Sequence, residues 1–198
     1  RIIDYKSSIK DIDLNEVKAG IKLQLLTYMN EMCKQESAEP AGAFYYNLIE
    51  PMVKASQNMS DEQIEEELRK QFKMGGLILA DVDIIRKMDK NLDTGSSNII
   101  PATINKDETL SKKASNISKQ QFEYLQKYTN KIIKQISEEI LSGNINIKPY
   151  YNTKNKKTPC EYCTYKSICQ FGNGICKKEY NYISNLEKEA ILEMMKEK

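Results

Sequence analysis

Ile2-Ile3-Asp4-Tyr5-Lys6-Ser7-Ser8 is the stretch that decides how this chain is read. β-branched residues and a tyrosine favour extended backbone, and the two serines end it. Side chains two apart on a strand leave from one face, so Asp4 and Lys6 project together. Hydrolysis of a phosphodiester needs such a pair. The carboxylate holds Mg2+ or Mn2+, hard cations that take oxygen ligands, while the ammonium orients the attacking water and offsets charge on the phosphorus oxygens. Solvated surface strands carry the same triplet, so these residues alone leave both readings open.

Working outward, apolar residues recur at Leu14, Val17, Ile21, Leu25 and Tyr28, which predicts one amphipathic helix from Leu14 to about Lys34. On it Gln24 and Tyr28, four apart, stand one above the other, with Leu23, Leu25 and Leu26 supplying core. A polar amide beside a buried tyrosine is equally ordinary at the edge of a core. Pro40-Ala-Gly-Ala43 breaks the pattern, and Phe44 to Ile49 reads as a strand halted before Pro51. Ser60 and Gln63 have capping-box spacing for a charged, solvated helix to about Phe72. After Gly75-Gly76 comes the apolar run Leu77 to Ala80, and residues 89–119 read as loops with one short hairpin. Ser118 caps a long helix through Phe122, Leu125, Tyr128, Ile132, Ile136 and Ile140, closed by Gly143. A final helix runs from about Tyr182 to Lys198. Strand, helix, strand, helix in succession predicts an α/β fold.

With 198 residues and 40% apolar content, the chain can bury one core, or one core plus a small module. Thirty basic against 28 acidic residues neither demand nor exclude a nucleic-acid partner, so local placement of charge must decide. With no histidine, acid–base and metal chemistry falls to carboxylates, lysine, tyrosine, amides and thiols. No apolar run approaches the roughly 20 residues that cross a bilayer, and no signal segment opens the chain, so a cytoplasmic protein without a membrane partner is expected. Because Arg1 leads straight into a strand, a missing upstream part is also expected. Lys148, Lys154, Lys156 and Lys157 interleave with Tyr150 and Tyr151, a pattern that suits phosphates and a stacked base, or simple solvation. Lys112, Lys113 and Lys119 form a second, diffuse basic region. Gly75-Gly76 lacks the downstream Gly-Lys-Ser/Thr of a phosphate-binding loop.

Cys160-x2-Cys163-x5-Cys169 concentrates three thiols, a spacing that suits zinc or an iron–sulfur cluster, with ordinary core cysteines as the plain alternative. Five cysteines in an intracellular protein argue against a disulfide framework. Cys33 reads as a half-buried thiol without a role.

Ile2 to Ser8 followed by Gln24-Leu-Leu-Thr-Tyr28 resembles the last two catalytic motifs of the RecB-type branch of the PD-(D/E)XK nucleases. Leu14-Asn-Glu-Val17 through Tyr28, then Glu39-Pro-Ala-Gly42, is similar to the C-terminal nuclease domains of the AddB family, components of helicase–nucleases that process double-strand DNA ends. The resemblance covers nearly the whole chain, including Gly76-Leu-Ile-Leu79, Ile99-Ile-Pro101 and the late cysteines. It implies a restriction-endonuclease-like α/β nuclease core over residues 1–145, truncated on its N-terminal side. Residues 146–198 would then form an iron–sulfur-type cysteine segment and terminal helix. It further implies Asp4 as a Mg2+ ligand, Lys6 as the catalytic lysine, and Gln24 with Tyr28 as a supporting pair. The family's upstream acidic residues cannot be placed, so this stretch by itself is expected to be inactive or weakly active.

Pro159 to Phe171 resembles the family's iron–sulfur segment, which makes Cys160, Cys163 and Cys169 ligands of a [4Fe-4S] cluster with a fourth ligand before Arg1. Cys176 has no counterpart in that pattern, and Gly172 departs from it. The implied function is a Mg2+-dependent DNA exonuclease domain of an ATP-dependent helicase–nuclease in recombinational repair. DNA ends and an AddA-like helicase–nuclease chain would be its partners, with ATP used only by the full complex. The rival readings are an iron–sulfur or zinc module that docks on DNA or a helicase without cleaving, and a stand-alone CRISPR-associated nuclease. The larger region between motifs argues against the latter.

Overall fold

The computed structural model describes residues 1–48, 59–111, 115–171 and 180–196. Its centre is a four-stranded mixed sheet, built from β1 (Ile2–Lys6), β2 (Gly42–Asn47), β3 (Gly75–Leu79) and β6 (Asn116–Ile117) in the order β1-β2-β3-β6. β1 runs parallel to β2 in a register that sets Ile2 against Ala43 and Lys6 against Asn47. β2 and β3 are antiparallel, while β3 and β6 are parallel. β4 (Gly95–Ser96) and β5 (Thr103–Ile104) form the short hairpin expected in the loop region. β7 (Tyr150–Asn152) and β8 (Asn181–Ile183) make a two-stranded parallel pair.

Both faces of the sheet are covered, which is why its inner strands read as continuous apolar runs without polar alternation. On one face Ala43, Tyr45, Leu77, Leu79 and Ile117 pack against four helices: α1 (Leu14–Lys18), α2 (Gln24–Gln35), α5 (Lys119–Leu141) and α7 (Lys188–Lys196). On the other, Phe44 and Ile78 meet Met74, Leu92, Ile100 and Ile104, together with Ile85 of α4 (Val82–Met88). Gly76 permits this close sheet. With φ +138 it lies so near β2 that an added Cβ would fall 2.2 Å from the Ala43 carbonyl oxygen. α7, beyond the expected boundary at residue 145, supplies Ile191, Leu192 and Met195 to the first core.

The expected capping boxes are present. Ser60 with Gln63 opens α3 (Asp61–Gln71), and Ser118 with Gln121 opens α5. Four expectations need correction. The single helix from Leu14 to Lys34 is two, because the chain turns through left-handed backbone at Gly20 (φ 79) and Lys22 (φ 57). The apolar period survives that turn since α1 and α2 pack on the same core. The second strand starts earlier, at Gly42, and ends at Asn47; Ile49 and Pro51 lie outside the described residues. The terminal helix begins at Lys188, because Asn181–Ile183 is taken up by pairing with β7. Finally, α5 buries Phe122, Leu125 and Tyr128 but leaves Ile136 and Ile140 exposed, its last turns having left the core.

Candidate active site

β1 is an edge strand, and its period of two sends Ile3 to the face covered by α4 while Asp4 and Lys6 turn to the α1–α2 face. There the Lys6 Nζ lies 2.9 Å from Asp4 Oδ2, an ion-pair distance. Oδ2 is buried and has no aligned hydrogen-bond donor. Lys6 also donates a long bond of 3.5 Å to the amide oxygen of Gln24, whose amide nitrogen donates to the Tyr28 hydroxyl at 3.0 Å. The four residues singled out in the sequence thus form one continuous series of contacts. Gln24 is the first residue of α2, where no side-chain cap is present, so the partly positive helix end faces the same place. Tyr28 differs from expectation. It is 51% exposed, because the α2 surface carrying Gln24 and Tyr28 turns away from the core that takes Leu25, Leu26 and Met29.

The Asp4 carboxylate raises Lys6 above the ordinary 10.5, so the side chain is an ammonium at neutral pH.

Three residues that the sequence did not single out stand beside this series. Tyr45, the partner of Asp4 in the β1–β2 register, is buried, and Lys6 Nζ lies 5.7 Å from the centre of its ring. Burial pushes its phenol above the ordinary 10, against the opposing pull of Lys6. Glu16 and Lys22 form an ion pair close enough to act on the same phenol. Only the non-local register of β1 on β2 discloses Tyr45, and only the turn between α1 and α2 brings Lys22 back to Glu16.

PD-(D/E)XK nucleases typically use divalent metal ions. Asp4 fits as one ligand, its buried Oδ2 being a carboxylate oxygen whose close partner is the Lys6 ammonium. Among the described residues, no group of three His, Cys, Asp or Glu side chains is placed to hold a metal ion. That applies equally to the cysteine segment, where a short 3-10 turn (Pro159–Tyr162) and α6 (Lys166–Cys169) carry the thiols. Cys163 is exposed and Cys160 and Cys169 are half-buried, all three as free thiols. The expected cysteine-rich metal-binding segment is therefore not seen as a formed metal site among the described residues. An aromatic cluster lies against it instead. Tyr182 packs edge to face on Tyr151 and Tyr180, which are tilted against each other, and Phe171 meets Tyr180 at 4.8 Å. Tyr151 is thus engaged in packing. Cys176, Gly172, Lys112 and Lys113 lie outside the described residues.

A mixed sheet with a carboxylate and a lysine side by side on its edge strand defines the class. The chain belongs to the PD-(D/E)XK nuclease superfamily, whose sequence profile matches residues 1–170. More particularly, it is similar to proteins named as the B component of an ATP-dependent helicase/deoxyribonuclease. Identity is 41% to that of Thermoanaerobacter sp. (strain X514), over 98% of this chain and 17% of the relative. It is 40% to that of Bacillus thuringiensis (strain Al Hakam), over 100% of this chain and 17% of the relative. For Acetivibrio thermocellus it is 38%, over 98% and 17%. The chain therefore spans about a sixth of the length of these relatives. Among the described residues no helix is long and apolar enough to cross a membrane.

Proposed function

We propose that this chain carries the phosphodiester-cleaving centre of a Mg2+-dependent DNA exonuclease. It would work within an ATP-dependent helicase–nuclease that trims broken DNA ends for recombinational repair, beside an AddA-like partner. The observation that supports this reading best is the unbroken series Asp4, Lys6, Gln24, Tyr28 on one face of an edge strand and the adjoining helix end. A divalent cation bound at Asp4 would polarise the scissile phosphate and lower the pKa of an attacking water. Lys6 brings its ammonium to the non-bridging phosphate oxygens, where negative charge grows as the new bond forms. Gln24 holds Lys6 from the side, and Tyr28 in turn fixes the Gln24 amide. None of these groups reads a base, which suits an enzyme acting on the backbone without sequence choice.

Lys6→Ala in the full-length protein tests this. Mg2+-dependent release of nucleotides should fall by at least about a hundredfold, while DNA is still bound. Unchanged cleavage would instead favour the rival module that docks without cutting.

We further propose that Cys160, Cys163 and Cys169 join a fourth thiolate from elsewhere in the protein on a [4Fe-4S] cluster of structural role. The close spacing of the three thiols and the likeness to the helicase/deoxyribonuclease relatives support this. Iron and sulfide should be found at about four each per protein after anaerobic purification. Stoichiometric zinc without iron would sink the cluster.

A further inference from the structure

The ammonium of Lys6 at rest leans on the same carboxylate oxygen that the proposed reaction assigns to a divalent cation. Two positive groups cannot both be served fully by Asp4 Oδ2, and at such range they repel one another. Whatever keeps Lys6 on station in the loaded site must therefore be something other than Asp4. Its remaining contacts are few. Gln24 offers an oxygen at 3.5 Å, long for a hydrogen bond. The second contact is the Tyr45 ring, whose centre is 5.7 Å from Nζ, within the roughly 6 Å over which an aromatic face attracts a cation.

Tyr45 is built to stay where it is. It lies on β2, paired on both sides by β1 and β3, and is 4% exposed. The in-register pairing of Asp4 with Tyr45 places its ring on the same face as both catalytic candidates. Its phenol is flanked by two ion pairs, Asp4–Lys6 and Glu16–Lys22, each carrying no net charge.

We infer that Tyr45 is a positioning residue whose ring face holds the Lys6 ammonium at the scissile phosphate when a cation takes up Asp4. The inference rests on the proposed cleavage reaction and adds to it a residue that touches neither metal nor DNA.

The test uses the full-length protein with Tyr45→Phe, Tyr45→Leu, Tyr45→Met and Lys6→Met measured side by side. Steady-state cleavage in Mg2+ supplies kcat and KM. Binding of a single-stranded oligonucleotide is then measured across a NaCl series with Ca2+ in place of Mg2+, the oligonucleotide being checked for integrity. Tyr45→Leu should lower kcat on the order of tenfold to a hundredfold with KM within about twofold, and Tyr45→Phe, which keeps the ring, should restore kcat. One lost phosphate contact flattens the slope of log K against log salt by about 0.7 for a single strand. That flattening is expected in Lys6→Met and Tyr45→Leu and absent in Tyr45→Phe. If Tyr45→Leu does not fold, Tyr45→Met, which fills the space with a flexible apolar chain, carries the same expectations. Normal kcat and slope without the ring, while Lys6→Met is inactive, overturn the inference. So does equal damage by Phe and Leu, which would assign the effect to the hydroxyl. Wild-type cleavage by Lys6→Met overturns the underlying reaction instead.

Discussion

Lys188 sends its ammonium onto the main-chain carbonyl of Asn116, and burial holds it below the ordinary 10.5. The unfolded chain therefore binds more protons than the folded one between the folded value and 10.5. Stability rises with pH through that window and is flat below it. Lys188→Met removes the titrating group, so its melting temperature should lack the rise expected of the parent as pH climbs from the depressed folded value toward 10.5. Parallel curves followed by circular dichroism would refute the assignment. Lys6 is linked in the opposite sense. Its pKa is raised by Asp4, so its contribution is complete below 10.5 and is lost only as pH climbs through the higher folded value. Two lysines of the same type thus respond oppositely, one governed by burial and the other by a carboxylate at 2.9 Å.

Among the elements, the most legible were those whose signals are local. Serine and glutamine three apart marked the starts of α3 and α5, since a capping box needs nothing beyond its own turn. Asp4 with Lys6 followed from the period of a strand, and Gln24 with Tyr28 from the period of a helix. That the two pairs meet followed from the family resemblance and not from periodicity, because the meeting depends on the turn at Gly20 and Lys22, which the hydrophobic pattern runs through without a mark. Tyr45 was hidden for a related reason. Phe44, Tyr45 and Tyr46 look alike along the chain, and only the register of β2 on β1 decides which ring lies beside Asp4. β6 is two residues long and owes its strand character to pairing with β3, so no propensity could announce it. The exposed Ile136 and Ile140 show the converse. A helical stripe predicts a face but not how far along the helix the core extends.

For the molecule as a whole, one sheet covered on both faces carries Asp4 and Lys6 on β1, an outermost strand of its four. The helices contributing to the covered α1–α2 face come from both ends of the chain, with α1 and α2 early and α7 last. The pairing of Asp4 with its own neighbour has a consequence for how this fold withstands loss of an ion. If the proposed cation sits on Asp4, whose Oδ2 is buried, the Lys6 ammonium 2.9 Å away can serve as an internal counterion when that ion departs. Binding near the dissociation constant adds only about 0.4 kcal/mol to stability. A divalent-ion chelator should therefore stop cleavage at once while leaving the melting temperature of the nuclease nearly unchanged. A large downward shift on chelation would mean that the resting ion pair does not replace the metal. Were Asp4 to bind the proposed cation, the enzyme could be emptied and refilled as a folded protein, its resting state secured by a lysine two residues away.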